Sequence, residues 1–434
     1  MAVAKSIFKS IFKGYGSGFA GGEGGIPGLL SLWNAKTPTV CPVGPQIQTS
    51  AAGNQPDANG NMVPWPVNHP GKGVMVQPAY SNLLQNSKFE GAVSGTPGTA
   101  PTGWSRYGVG EILITALSVG NSVTFKNTVS SQNFIYRAII GLANTSYNCF
   151  ALVACNGNIS VVNIISNASA PADAVITYMV DGVVANATDK PPAGSHTIAT
   201  IVTLTATAGV FSVRFGNGCI GNAIGNLTIS TPQIVASSYR MPYAASGAGA
   251  TTSVTSTAAT SGGNGMAIPL NAAMTAALSG GAFTVAALCW MGVGSGELTS
   301  LTQQNLTSFK DNTESLFFRG QTPDGVIVGS TDGTSWAEMF SVITARGEIH
   351  LRAVRTNAAR THFQVGYRRY TSAMVPIDAG VVWGALVAYD QSMNPLTHLR
   401  FGYGLTVPIG FLQVQMWNKS ASDAEILKVV GYAL

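Results

Sequence analysis

Charge is scarce in this chain: Asp, Glu, Lys and Arg together make up 9% of its 434 residues, against about 25% in ordinary soluble proteins. The net charge of +5 is small for this length, and excludes the dense basic footprint of a nucleic-acid binder. Long apolar runs are missing too. No segment approaches the roughly 18 uninterrupted apolar residues of a membrane-crossing helix, so no stable membrane insertion is expected. The opening Lys5–Lys13 sets apolar pairs between lysines and contains no continuous hydrophobic stretch of the secretory kind. If the protein acts outside the cell, it is expected to leave the cytoplasm by a route other than such a signal, for instance lysis. Five cysteines (Cys41, Cys149, Cys155, Cys219, Cys289) form no C-x-x-C pair, which argues for buried thiols rather than a metal centre or a disulfide framework.

Catalytic motifs are equally sparse. His69, His196, His350, His362 and His398 lack metal-ligand spacing and no G-x-S-x-G accompanies them. The carboxylates of the C-terminal third, among them Glu297, Asp311, Glu348 and Asp378, form no facing pair of the glycosidase kind. Asp324-Gly325 and Asp332-Gly333 read as turns. The chain is read as a non-enzyme with no cofactor and no metal.

What remains is rich in small and β-branched residues punctuated by 51 glycines, which favours short strands and tight turns. At this length about two or three domains are expected. The predicted class is all-β: an extended N-terminal arm followed by two β-sandwich (jelly-roll) domains. Residues 1–80 form the arm, 81–245 the first sandwich, 246–265 a Ser/Thr/Gly/Ala linker and 266–434 the second sandwich. The arm opens on a direct repeat whose Ile7, Phe8, Ile11 and Phe12 make one apolar stripe on a helix. These four are the candidate anchoring residues, for docking on a partner rather than lying on a membrane. The Gly-rich and Pro-rich stretches that follow cannot build a core alone.

In the first sandwich, alternating runs are expected as strands at Ile112–Leu117, Ser122–Phe125, Cys149–Cys155, Ser160–Ile165, Val175–Val180, Ile198–Leu204 and Val210–Phe215. In the second they fall at Phe283–Trp290, Ser315–Arg319, Val326–Gly329, His350–Val354, His362–Tyr370, Val381–Tyr389 and Phe411–Trp417. After the last, Ser422-Asp423-Ala424-Glu425 has the spacing of a capping box that starts a short helix.

Two resemblances rest on specific segments. Trp417-Asn418-Lys419-Ser420-Ala421-Ser422-Asp423-Ala424-Glu425-Ile426 resembles the closing segment of concanavalin A-like (laminin-G or pentraxin type) sandwiches. Asn82-Leu83-Leu84-Gln85-Asn86-Ser87-Lys88-Phe89-Glu90 with Gly95–Ser105, including Pro101-Thr102-Gly103-Trp104-Ser105, resembles the opening of carbohydrate-binding modules of the family 4/9 type. Its insert is similar to one in tailed-bacteriophage virion proteins. The segment 229–243 resembles the phage versions' ending, with Val235 where an acidic residue is usual. Together they imply a fibre or spike of a tailed phage or phage-like particle. Such a protein is expected to be a homo-oligomer, a trimer in this family. It would join other virion proteins (portal, collar, tail or capsid) through its N-terminus and bind host cell-surface polysaccharide. A head decoration or collar protein is the structural alternative, and a polysaccharide depolymerase the enzymatic one.

Candidate sugar contacts follow from composition. Arg346–Tyr370 concentrates basic residues beside aromatic ones, with Glu348 as its single acid. Arginine forks suit carboxylate or phosphate, and tyrosine faces suit sugar rings. Arg352, Tyr367, Arg368, Arg369 and Tyr370 are the candidates there, against the reading that these arginines serve subunit contacts or an exposed sheet. In the first sandwich Trp104 is expected to pack inside its motif. Tyr107, Tyr136, Tyr147 and Tyr178 remain as platform candidates, with Tyr107 foremost.

Overall fold

The structure, a computed structural model, describes residues 26–35, 48–49, 53–57, 60–69, 71–257, 266–298, 302–303, 320–321, 326–329, 337–388, 398–402 and 407–431. The anchoring candidates Ile7, Phe8, Ile11 and Phe12, together with Cys41, Ser315–Arg319 and both Asp-Gly turns, lie outside these. The fold is all-β, in two sandwich domains.

The first sandwich faces a seven-stranded sheet against a four-stranded one. The larger runs Val183–Ala185, Val175–Val180, Gly194–Leu204, Thr145–Cys155, Ala223–Val235, Gly120–Ser131 and Glu111–Leu117 in spatial order. The smaller runs Ile165–Ala168, Gly209–Asn217, Asn133–Gly141 and Ser105–Tyr107. Alternation sets the core: Cys149, Ala151 and Val153 from one sheet meet Ile135, Val213 and Phe215 from the other. Trp104 packs in this core, with its ring centroid 5.6 Å from Phe89 and 5.9 Å from Phe215. The hairpin turn Asp181-Gly182 has positive φ at both residues (51° and 85°), the primed turn whose twist matches paired strands. Ser160–Ile165, expected as a strand, is instead one helical turn, Val161–Ile164, followed by the strand Ile165–Ala168. Val161 and Ile164 both bury there, the i, i+3 spacing that an alternating reading misses.

The second sandwich is built on a nine-stranded sheet. Its main path orders Val382–Trp383, His362–Tyr370, Ile349–Thr356, Thr284–Met291, Ile409–Trp417, Gly73–Val76 and Asn68–His69. Leu29–Asn34 adds to Ile409–Trp417, in the register Leu29↔Trp417 to Asn34↔Gln413. Gly73–Val76 takes the next stretch of the same edge, from Phe411 to Ile409. Two pieces of the expected arm are therefore strands of the C-terminal domain, and the coreless reading of 1–80 is corrected for them. Leu29, Leu32 and Trp33 supply the apolar surface, at 5%, 6% and 1% exposure, and cover an edge that would otherwise be open. Val381–Tyr389, expected as one strand, is two short ones, Val382–Trp383 and Val387–Ala388, within the described part.

Both faces of this sheet are covered. On one side Val285, Ala287, Val354, Val365 and Val414 join a large core with the helix Ala272–Gly280. On the other the C-terminal helix Asp423–Val430 lays Ile426, Val429 and Val430 against Leu288, Leu351 and Trp417. The capping box forms: Ser422 Oγ accepts from Glu425 N at 3.4 Å and Ser422 N donates to Glu425 Oε2 at 2.9 Å. At the far end Gln413 Nε2 donates to Val429 O at 3.0 Å, supplying a partner for one of the carbonyls a helix terminus leaves open.

The described part of the linker is pinned to neighbouring chain. Thr252–Val254 pairs with Tyr80–Asn82, and Ser246 N donates to Ser87 Oγ at 2.9 Å.

Candidate carbohydrate-binding face

The strand Asn133–Gly141 has one inner and one outer set of side chains. Ile135 and Ile139 point into the core, so Phe134, Tyr136, Ala138 and Ile140 share the outer face of the four-stranded sheet. Register places Tyr107 opposite Phe134 and Arg214 opposite Tyr136. The Tyr107 ring stacks on Phe134 with centroids 5.1 Å apart and planes 12° apart. Tyr136 lies 6.1 Å from the same ring, and the Arg214 guanidinium sits 5.1 Å over it. Arg214 is held by its Nη1, which donates to Cys219 O at 2.8 Å.

Phe134 is thus a buried hub at 3% exposure, and Tyr107 stands 52% exposed beside it. Gly216 lies opposite Phe134 at φ 153°. A Cβ there would come within 2.6 Å of Phe134 Cβ, so only glycine leaves the room this hub needs. Six residues along the strand, the cross-strand pair Ile140 and Val210 is 79% and 51% exposed. From Phe134 to Ile140 the face is about 20 Å long at strand rise. It offers two tyrosine rings and an apolar strip, with a phenol and a guanidinium as polar handles. Sugar rings, apolar on their C–H faces and polar at their rims, suit such a surface.

The second domain packs against part of the opposite outer face of this sandwich. Arg240 lies with its guanidinium 4.6 Å over Phe150 of the seven-stranded sheet. Arg346 from the second domain donates to Arg240 O at 3.2 Å and holds Glu297 through Nε at 3.0 Å and Nη2 at 2.8 Å. Glu297 in turn packs under the Asp181-Gly182 turn, where a Gly182 Cβ would lie 3.4 Å from its carboxyl carbon.

The expected basic surface at Arg346–Tyr370 is not brought together. The two strands pair as foreseen, with His350 opposite Arg369 and Arg352 opposite Tyr367. Their sheet is covered on both faces, so alternation turns both sets of side chains inward. Arg352, Tyr367 and Tyr370 are buried at 2%, 9% and 4% exposure. His350 bonds Glu348 at 2.9 Å, and burial pulls its pKa down to about 4. Arg369 forks onto Asp378 through Nε at 3.1 Å and Nη2 at 2.9 Å. Arg368 Nε donates to Asp378 O at 3.1 Å, with its guanidinium 5.2 Å over Tyr370. Their partners are within the chain. Of the remaining tyrosines, Tyr147 is buried with its hydroxyl accepting from Leu142 N at 2.8 Å, and Tyr178 packs against the core.

The sequence reading singled out Tyr107 and Tyr136 but missed Phe134 and Arg214, having no strand at 133–141. The signal was present in Asn133-Phe134-Ile135-Tyr136-Arg137, where aromatics recur every second residue. No family model matches the chain, and no curated protein matches it. Among solved structures it is similar to the N-terminal CBM22-1–CBM22-2 tandem domain of Paenibacillus barcinonensis Xyn10C, at 10% identity and a TM-score of 0.21. That match covers 78% of this chain and 98% of the other. A similarity this slight leaves the reading of the face to its own geometry.

Proposed function

We propose that the protein is a non-catalytic, saccharide-binding structural protein that takes up a polysaccharide chain along the open face of its first sandwich. One observation carries this reading: Tyr107, stacked on the buried Phe134, stands exposed beside Tyr136 on the face that the second domain leaves uncovered. The buried ring fixes its neighbour, so little side-chain freedom is lost when a sugar settles on it. The test is retention of the full-length protein on a panel of bacterial polysaccharides. Wild type is expected to be retained by at least one, and Tyr107→Ala with Tyr136→Ala to pass through unretarded while still unfolding in one cooperative transition. Equal retention of the double variant would overturn the reading.

The setting we propose is the virion of a tailed phage or phage-like particle, with the sandwiches presented to the host cell surface. The resemblance of Asn82–Ser105 to phage modules supports it. So does the Lys/Ile/Phe repeat holding Ile7, Phe8, Ile11 and Phe12, which in this reading is the docking peptide for a portal, collar, tail or capsid protein. Several copies, a trimer in this reading, would convert weak single contacts into firm attachment. Labelled protein imaged on particles tests the location. Light scattering tests the copy number, and a monomeric mass counts against the trimer.

A further inference from the structure

A second site lies where the two domains meet. A cavity of about 400 Å³ opens there, lined by His69, Lys72, Arg240, Trp290, Arg346 and Asp57 among others, a volume within the range of small-molecule sites. Its walls come from segments far apart in the sequence. Asn68–His69 and the turn to Gly73–Val76 supply His69 and Lys72, the tail of the first sandwich supplies Arg240, and Thr284–Met291 supplies Trp290.

Not all of the positive charge is neutralised. Arg346 is committed to Glu297 by its bidentate bond. Arg240 is not: its one side-chain hydrogen bond to a described residue runs from Nη1 to Thr197 Oγ1 at 2.8 Å, and its flat face rests on Phe150. Lys72 has no carboxylate within ion-pair distance among the described residues, and its Nζ stands 5.1 Å from the Trp290 ring centroid. Asp57, the carboxylate in the lining, is engaged by Asn61, whose backbone N–H donates to Oδ1 at 2.9 Å. His69 is 4% exposed, and its Nε2 finds no hydrogen-bond partner, a cost that buried polar atoms seldom bear without a ligand or water to meet them.

Two cations with no carboxylate bonded to them among the described residues, an orphaned imidazole nitrogen and a half-buried indole converge on one cavity. We infer that this cleft binds an anionic monosaccharide unit, with its oxyanion between Lys72 and Arg240 and its ring against Trp290. The groups suit the parts of such a ligand. A guanidinium and an ammonium give charge-assisted hydrogen bonds to a carboxylate or phosphate ester, and the indole takes the C–H face of the ring. Burial first and the Arg346 charge next lower the Arg240 pKa, but with Glu297 and Asp181 pulling it back it falls only to about 9, so the guanidinium stays charged at neutral pH. Burial also lowers the Lys72 pKa, with Arg240 and Arg346 adding to the effect. An anion relieves that mutual repulsion. A ligand here touches both domains and ties their junction.

This site is independent of the open tyrosine face, and the test separates the two. Full-length protein is titrated calorimetrically with glucuronate and with glucose at low salt, and inorganic phosphate serves as competitor. Glucuronate is expected to bind saturably and glucose not, with phosphate displacing it and added salt weakening it. Lys72→Met and Arg240→Gln are each expected to lower affinity about tenfold, the scale of one charge-assisted contact. Lys72→Met keeps the unbranched stem of the side chain and leaves the backbone of its turn unchanged, so the variant keeps the fold. Tyr107→Ala is expected to bind glucuronate as wild type does. The inference fails if neither glucuronate nor phosphate binds folded wild type, or if Lys72→Met binds unchanged. It fails equally if Tyr107→Ala abolishes binding, which places the anion on the other face.

Discussion

Tyr107 and Phe134 stand directly opposite each other on neighbouring strands, with their rings 5.1 Å apart and 12° from parallel. One ring is buried and the other half open, so the pair is both a packing contact and a surface. Removing the outer ring by Tyr107→Ala is expected to weaken polysaccharide binding by on the order of 1 kcal/mol, about fivefold, with a stability loss of similar size. Phe134→Ala is expected to cost about 3–5 kcal/mol of stability as well, because it empties a buried site. Affinity electrophoresis and urea unfolding of the two variants separate these effects.

Much of this architecture is legible in the sequence, and its gaps have physical causes. The capping box at Ser422 and Glu425 and the strand His362–Tyr370 are local patterns, and both appear where they are expected. The role of Leu29–Asn34 is not local. Six residues between Gly-rich and Pro-rich stretches show no core of their own, and their partner strand lies near residue 415. The arginines of Ile349–Thr356 and His362–Tyr370 mislead for a related reason: alternation assigns two faces to a strand but does not say that both are covered. The tyrosine platform is half legible, since Tyr107 and Tyr136 are nameable in advance while the Phe134 hub depends on register with Ser105–Tyr107.

Trp33 tests whether the N-terminal strand belongs to the C-terminal domain. It is 1% exposed in the main core, and Trp33→Ala is expected to cost about 3–5 kcal/mol. Deleting residues 1–25 is expected to leave both domains folded. Deletion through residue 35 is expected to lower the melting temperature of the C-terminal domain and expose the edge of Ile409–Trp417 to aggregation. Calorimetry and light scattering of the two truncations check this.

Gly410 and Gly73 mark where two backbones come together. A Cβ on Gly410 would overlap the Lys72 carbonyl, and one on Gly73 would overlap the Phe411 carbonyl at a φ of 73°. Gly410→Ala is expected to destabilise the protein by about 1–3 kcal/mol through forced separation of the strands. Gly71→Ala, with nothing within 4 Å of its Cβ, pays only for its positive φ and serves as the milder control in the same urea titration.

The C-terminal helix carries a pH signature. Glu425 accepts from Lys419 Nζ at 2.5 Å and from Ser422 N at 2.9 Å. Those bonds, Lys419 first, pull its pKa from 4.5 to about 2. A carboxylate with a depressed folded-state pKa contributes stability that is fully present above its ordinary value and lost as pH falls through the folded one. Glu425→Gln is expected to be less stable than wild type at neutral pH, with the gap closing between pH 4.5 and about 2. Because this pair is partly exposed, raised salt narrows the gap as well. Unfolding curves across that pH range check the sign.

The central claim, saccharide capture on the open face of the first sandwich, is tested most directly by a crystal structure of the full-length protein soaked with an oligosaccharide of the polysaccharide that retains it. The account expects sugar density over Tyr107 and Tyr136, within reach of Arg214 and running toward Ile140 and Val210. Density only on the second domain, or an empty tyrosine face at saturating oligosaccharide, would contradict it.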